Sequence, residues 1–183
     1  MVRWLMGGIV MLMFSMGLHA SEFSKVATSE PELIQKGEEK NYCPICGMNL
    51  TQYYKTSHGA ILSDGTAKQY CSIRCLAVDW EAIESRLVKL VVTDVKSEKL
   101  IDAKKAFYVI GSKIPGTMSM VSKLAFEKEE DAKVFIKENG GELGTFEIAF
   151  AKARASLEAD VDEFVKKKKK GMYPMGEKIY QKT

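Results

Sequence analysis

The sequence predicts an α+β fold made of two tandem ββαβ units, followed by a C-terminal helix and a basic tail. Three observations support this prediction: short runs of β-branched and aromatic residues, two stretches with apolar residues three and four positions apart, and a repeated order of elements. Strand, strand, helix and strand follow one another from about residue 50 to 95 and again from about 100 to 150. Each unit is near the size at which an isolated core is marginal, so the two would gain stability by packing together or from a metal ion in the first unit.

The composition is that of a globular protein without an obvious catalytic centre. Of 183 residues, 46% are hydrophobic and 28% are charged, and the net charge of +3 is too small to indicate nucleic-acid binding. The sequence contains no general acid–base pair, no nucleophile with a histidine base and no phosphate-binding glycine loop. We therefore expect a protein that is not an enzyme.

The N-terminal residues 1–20 are predicted to be a secretory signal. Arg3 precedes the apolar stretch Trp4–Leu18, and Ala20 provides a cleavage point, so the mature chain is expected outside the cytoplasm. An uncleaved N-terminal anchor is the alternative. No cysteine lies near the cleavage point, so no lipid anchor is expected. Residues 21–40 are polar and are expected to be a mobile leader or a short irregular helix.

The first unit is assigned to residues 41–95. Asp64-Gly65 is typical of a hairpin turn, and Ile73, Leu76 and Trp80 have helical spacing. The expected elements are a strand around Tyr53 and Tyr54, a turn at Ser57–Gly59, strands from Ala60 and over Lys68–Tyr70, a helix over about 72–85, and a strand over Leu87–Val95.

The second unit is assigned to residues 96–150. Its expected elements are strands over Phe107–Ile110 and Thr117–Phe126, a helix over Glu130–Asn139 that stops at Gly140-Gly141, and a strand over Gly144–Phe150. A C-terminal helix is predicted over 151–165. The tail, 166–183, begins with five lysines that repel one another and also carries Met172 and Met175.

All four cysteines of the chain lie in one segment, as Cys43-x2-Cys46 and Cys71-x3-Cys75. Gly47 lets the backbone turn after the first pair, which predicts a treble-clef-like knuckle. Cys71 and Cys75 stand four positions apart at the predicted start of a helix, where they share one face. Thiolates are soft ligands that select Cu(I), Zn(II) or iron–sulfur centres.

Four interpretations of these cysteines remain open from the spacing. They are a structural zinc site, two disulfides (Cys43–Cys46 and Cys71–Cys75), a thiol–disulfide oxidoreductase, and a Cu(I) site. The hairpin after Cys46 argues against an oxidoreductase, whose C-x-x-C motif should open a helix. Met48 favours Cu(I), because zinc rarely takes methionine as a ligand, although packing in the core is the ordinary role of a lone methionine.

The segment from Cys43 to Met48, CPICGM, resembles the C-x-x-C-G-M signature of the NosL family, the accessory proteins of nitrous-oxide reductase. Further segments are similar to that family's second half: Val91–Asp94, Leu100–Ala103, Ala106–Ser112, Gly116–Ser119, Leu124–Phe126 and Gly140-Gly141. The resemblance covers about residues 41–150.

The resemblance implies a periplasmic Cu(I)-binding chaperone that helps to metallate nitrous-oxide reductase. Its partner would be the reductase apoprotein or a copper-relay protein, and its ligands would be Cys46 and Met48, with Met118 from the second half. The sequence departs from the family pattern in lacking a lipidated cysteine and in having Ser119 for a glycine. Cys71 and Cys75 are additional; they resemble the helix start of heavy-metal-binding TRASH-type modules and are expected to add a Cu(I) or Zn(II) site or to complete a four-sulfur site.

Two further features have both a structural and a functional interpretation. His58, the one histidine left after signal removal, is a candidate ligand or an exposed turn residue. The lysine run is a solvated tail or a docking segment for an acidic partner, and Met172 and Met175 either lie in that tail without function or pass Cu(I) onward.

Overall fold

The structure is a computed structural model that describes Phe23, residues 30–160, Asp162 and Lys166. The predicted signal peptide and most of the basic tail, including Met172 and Met175, lie outside these residues. None of the helices in the described part of the chain is long and apolar enough to cross a membrane.

Two units with the same order of elements follow one another, which confirms the predicted α+β class. The first unit consists of β1 (His58–Leu62), β2 (Ala67–Tyr70), α1 (Ile73–Ile83) and β3 (Leu87–Thr93). After the short strand β4 (Leu100–Asp102), the second consists of β5 (Phe107–Ile110), β6 (Lys123–Phe126), α2 (Glu129–Asn139) and β7 (Glu142–Gly144). The helix α3 (Phe146–Ala155) completes the fold.

The strands form two antiparallel sheets with matching topology. The first has the order β2-β1-β3-β4 and the second β6-β5-β7, so the opening strand of each unit is central. The strand β4 lies in the part of the chain assigned to the second unit, yet it pairs with β3, with Val91 opposite Asp102. The predicted boundary after residue 95 therefore separates two strands of one sheet.

A shared apolar core joins the two units. It includes Leu76 and Val92 of the first unit and Tyr108 and Phe146 from the second half of the chain. The helices α1 and α3 pack together through Trp80 and Phe150, whose ring centroids are 4.5 Å apart. All four cysteines lie within this same core. A smaller core beneath α2 is formed around Val109, Leu124 and Phe135.

The predicted strand over Gly144–Phe150 is wrong. The strand β7 ends at Gly144, and α3 begins at Phe146, five residues before the predicted helix. Phe146, Ile148 and Phe150 alternate as in a strand, but the buried positions are Phe146, Ala149 and Ala153, which have helical spacing. The Thr145 side chain caps the helix by accepting a hydrogen bond from the amide of Ile148.

Two other predicted strands are also corrected. Residues Tyr54–Thr56 form a 3-10 turn instead of a strand, with the ring of Tyr54 fully buried. Of the predicted strand Thr117–Phe126, only Lys123–Phe126 is extended. Met118 has a φ of 55°, which is incompatible with a strand. The residues between Gly116 and Lys123 therefore form a loop.

The N-terminal leader is docked on the first sheet in its described part, contrary to the expected mobility. The amide of Ile34 donates to the side-chain oxygen of Gln69 at 2.9 Å, and the amide of Gln69 donates to the side chain of Gln35 at 2.9 Å. Ile34 packs over Gly59. A Cβ added at Gly59 would lie 2.5 Å from the Cδ1 atom of Ile34. The absence of a side chain at Gly59 therefore makes room for the leader.

Candidate metal centre

The first cysteine pair lies on a tight knuckle closed by its own backbone. The amide of Gly47 donates to the carbonyl of Cys43 at 2.8 Å, and the amide of Cys43 donates to the carbonyl of Met48 at 2.9 Å. Gly47 has a φ of +71°, a conformation that is costly for residues with a Cβ. The predicted knuckle thus forms because glycine follows the second cysteine directly.

The second pair lies where β2 passes into α1. Cys71 follows the last residue of β2, Ser72 has extended backbone at the N-cap position, and Cys75 lies in the first turn of the helix. The positive end of a helix dipole stabilises nearby thiolates. The junction therefore places two thiols at a helix start, where the dipole favours the thiolate form that a metal ion binds.

The fold brings the four sulfur atoms together. All four lie within 4.8 Å of one another, with Cys46 and Cys71 3.4 Å apart and Cys71 and Cys75 3.7 Å apart. All four thiols are free. Ligands at about 2.3 Å from a tetrahedral ion stand about 3.8 Å apart, whereas disulfide sulfurs stand about 2.05 Å apart. The spacing matches four ligands of one ion.

The sulfur cluster is closed from solvent. Cys43 and Cys46 are 2% and 3% exposed, and Cys71 and Cys75 are fully buried. The outer side of the knuckle nevertheless forms an open depression of about 270 Å³, lined by Glu39, Tyr42, Cys43, Pro44, Ile45, Cys46 and Gly47. The cluster therefore approaches the surface at the first cysteine pair.

The four thiols share their protons unequally. Hydrogen bonds from the thiols of Cys46, Cys71 and Cys75 lower the pKa of Cys43. The reciprocal contacts with Cys43, together with burial, raise the pKa values of Cys71 and Cys75. These contacts therefore favour ionisation at Cys43 over ionisation at Cys71 and Cys75. A metal ion that binds all four sulfurs requires all four as thiolates.

Met48 extends the cluster. Its thioether sulfur lies 3.8 Å from the sulfur of Cys71, and its side chain is partly buried against the shared core. Four thiols and a thioether form an entirely soft donor set, which fits a closed-shell ion such as Cu(I) or Zn(II) and does not fit Mg²⁺ or Ca²⁺.

Met118 is buried in the same shared core, on the loop between β5 and β6. The buried Asp160 fixes this loop by accepting a hydrogen bond from the amide of Met120 at 3.0 Å. Met118 and the sulfur cluster thus lie in one core, and its role as a ligand stays a prediction.

His58 does not join the sulfur cluster. It begins β1 instead of lying in a turn, and it is 1% exposed. Its Nδ1 lies 3.0 Å from the carbonyl of Thr56 and its Nε2 lies 3.1 Å from the hydroxyl of Tyr108. Burial lowers the pKa of His58 to about 4, so the ring is neutral at physiological pH. Both ring nitrogens are already engaged, which fits a structural link between the two units.

Thr56 is a supporting residue that the sequence did not point to. Its hydroxyl lies 2.7 Å from the carbonyl of Cys71 and 2.8 Å from the hydroxyl of Thr117. It thereby connects the end of β2 to the residue before Met118. A lone threonine next to a tyrosine-rich turn gives no sequence signal for such a role.

Comparison with known proteins identifies the family of this chain. The sequence profile of the NosL family matches residues 35–149. The copper-binding lipoprotein NosL of Stutzerimonas stutzeri is 32% identical over 141 residues, which cover 68% of this chain and 73% of that protein. The crystal structure of the copper chaperone NosL from Shewanella denitrificans has the same fold, with a TM-score of 0.50 at 23% identity, over 64% of this chain and 96% of that one. The chain therefore belongs to the NosL family.

Proposed function

We propose that this protein is a periplasmic Cu(I)-binding accessory protein that delivers copper to nitrous-oxide reductase, without catalytic activity of its own. The observation that carries the proposal is the buried cluster of four thiols with the thioether of Met48 beside it. The names of the relatives, a copper-binding lipoprotein and a copper chaperone, support copper as the cargo.

The proposed ligands are Cys43, Cys46, Cys71 and Cys75, with Met48 as an auxiliary donor. Cu(I) accepts between two and four sulfur ligands without a fixed geometry. A partner can therefore replace these ligands one at a time while the ion stays bound to the rest. The depression over Cys43 and Cys46 is the route by which a donor from the partner would reach the cluster.

A structural zinc centre is the second candidate, and one observation favours it. The cysteines are almost completely buried, as in closed structural zinc sites. A four-thiolate cage also releases its metal slowly unless a partner opens it. Under this alternative the metal would stabilise the first unit and would not be passed on.

Two measurements separate these functions. Protein isolated from the periplasm is analysed for metal content and free thiols, and Cu(I)-loaded protein is then mixed with copper-free nitrous-oxide reductase. Delivery predicts Cu(I) binding at one ion per chain and transfer to the reductase faster than spontaneous release. One tightly held zinc ion per chain that Cu(I) does not displace, together with no transfer, would favour the structural role.

The variant Cys46→Ser tests whether the knuckle holds the ion, because it removes one proposed ligand. It should take up less Cu(I) and deliver less to the reductase. Equal binding by this variant and the parent would show that the copper site lies elsewhere. Export is tested separately, by the mass of the periplasmic protein, which should correspond to a chain beginning at Ser21.

A further inference from the structure

Arg74 is a buried cation without a partner in the described part of the chain. Its side chain is 6% exposed, and its Nε atom is buried without a hydrogen bond. No carboxylate of the described residues forms an ion pair with it. Buried charges are normally paired, because removing an ion from water is costly. The negative charge that would pair with Arg74 is therefore missing from the described residues. We infer that it arises nearby when the protein binds a ligand.

The location of Arg74 relates this charge to the metal centre. It lies three positions after Cys71 and directly before Cys75, in the first turn of α1. Cys71 lies just before Ser72, the N-cap residue of this helix. Arg74 therefore shares the first turn with Cys75 and is close in sequence to both thiols of the second pair.

The other cations of this segment are already paired. Between residues 41 and 80 the chain contains Lys55, Lys68 and Arg74 as its lysines and arginines. Lys55 pairs with Glu98 at 3.4 Å, and Lys68 pairs with Asp79 at 2.7 Å. Arg74 is thus the one lysine or arginine between residues 41 and 80 that has no acidic partner among the described residues.

The metal-loaded cluster would supply the missing negative charge. Cysteines bind a metal ion as thiolates, so an ion held by all four requires four negatively charged sulfurs. Four thiolates then surround an ion that carries only one or two positive charges, so the complex stays strongly negative. In a buried site that excess charge is costly unless a cation lies nearby.

We propose that Arg74 is the charge-balancing residue of the metal centre, positioned to stabilise the four thiolates once they hold a metal ion. This inference rests on the proposed metal binding by the cysteines. It assigns to Arg74 a role in retaining the metal, and it explains why a buried guanidinium is tolerated without a carboxylate.

The test compares Arg74→Met, which removes the charge, with Arg74→Lys, which keeps it. The control is Arg86→Met, which removes a surface arginine paired with Asp64. The Cu(I) dissociation constant of each reduced protein is measured by competition with a chromophoric chelator, and the Zn(II) constant is measured in parallel. We expect Arg74→Met to weaken binding by roughly 10–100-fold, the usual effect of removing a group that supports metal ligands, and Arg74→Lys to restore most of it. Arg86→Met should match the parent.

A spectroscopic measurement on the parent avoids any folding defect of the variants. The ¹H–¹⁵N resonance of the Arg74 Nε group, assigned by its absence in Arg74→Lys, should shift when one equivalent of Cu(I) is added. The corresponding resonance of Arg86 should stay in place. A resonance of Arg74 that does not respond to metal would overturn the proposal.

The affinities give three further outcomes. If Arg74→Met binds as tightly as the parent, the charge-balancing role is wrong while the metal site stands. If Arg74→Lys is as weak as Arg74→Met, the side chain acts through packing, and the role is again wrong. If the parent itself binds neither ion, the proposed function fails, and with it the basis of this inference.

Discussion

The sulfur atoms of Cys46 and Cys71 lie 3.4 Å apart, although the two residues are 25 positions apart in the chain. Cys46 belongs to the knuckle, and Cys71 lies between the end of β2 and the start of α1. A metal ion held between them would join these elements by bonds much stronger than the packing of a small core. Metal binding at this site would therefore also stabilise the first unit.

Replacing Cys71 by serine should weaken metal binding. The variant leaves three thiols, and the lost sulfur lies 3.4 Å from that of Cys46 and 3.8 Å from that of Met48. We expect the metal content after purification to fall below one ion per chain, measured by elemental analysis. Ala77→Ser, which adds a hydroxyl at a buried position of the same helix, is the control and should keep its metal.

Metal should raise the thermal stability of the reduced protein. A ligand at about one hundred times its dissociation constant adds about 2.7 kcal/mol to the free energy of unfolding, which corresponds to roughly 5–10 °C in Tm for a chain of this size. Scanning calorimetry with and without Zn(II) measures the shift. The double variant Cys71→Ser/Cys75→Ser should show none, and an equal shift in that variant would place the binding site elsewhere.

Replacing Met48 by leucine should change metal selectivity more than overall affinity. Leucine keeps the apolar volume but removes the thioether that lies 3.8 Å from the sulfur of Cys71. Because zinc rarely accepts a thioether, we expect weaker Cu(I) binding and unchanged Zn(II) binding, each measured by chelator competition. Met118→Leu is the informative comparison: a similar loss of Cu(I) affinity there would make both thioethers ligands.

His58 should make the metal-free, reduced protein less stable in mild acid. Its pKa is depressed from 6.5 to about 4 by burial, so the unfolded chain binds a proton more readily than the folded protein does. The stabilisation is complete above pH 6.5 and is lost as the pH falls toward 4, by an amount on the order of 3 kcal/mol.

Urea unfolding at pH 7.5 and at pH 5 measures this loss. His58→Gln, which can still hydrogen bond to Thr56 and Tyr108 but does not titrate in this range, should unfold with a smaller difference between the two pH values. An unchanged difference in the variant would assign the acid sensitivity to other groups.

Docking of the leader should depend on the space above Gly59. A Cβ at this position would lie 2.5 Å from Ile34 and 2.8 Å from a methyl group of Val91. We expect Gly59→Ala to destabilise the protein by about 1–3 kcal/mol and to expose the leader to proteases. Ile34→Ala in the same chain should relieve part of this cost, and additive losses in the double variant would show that the two sites are not in contact.

The sequence predicted the parts of the fold that depend on local patterns. The β-branched run that became β3 and the helix that carries Cys75 were found because their apolar periodicity is strong. The strand predicted over Gly144–Phe150 failed because Phe146 and Phe150 also share one face of a helix, and packing against α1 decides between the two. The docked leader also depends on contacts with residues distant in sequence, which no local pattern records.

The sequence predicted which side chains form the sulfur cluster, but not their surroundings. Two cysteine pairs at metal-binding spacing predicted the four thiols, and Met48 was a candidate both from its place after Cys46 and from the resemblance. The roles of Thr56 and Arg74 become visible only in three dimensions, because each depends on burial and on the neighbours of one polar group. His58 was a candidate metal ligand because it is the only histidine of the predicted mature chain. In the structure its Nε2 atom lies beside the hydroxyl of Tyr108.

The pairing of β4 with β3 also determines how the molecule could be divided. A fragment that ends at residue 95 would lose β4 and leave the outer edge of β3 without its backbone partners. Exposed edges of this kind recruit strands from other molecules, so such a fragment would tend to self-associate. A fragment that isolates the cysteine-rich half should therefore extend at least to residue 103, where the amide of Ala103 still bonds to the carbonyl of Leu90.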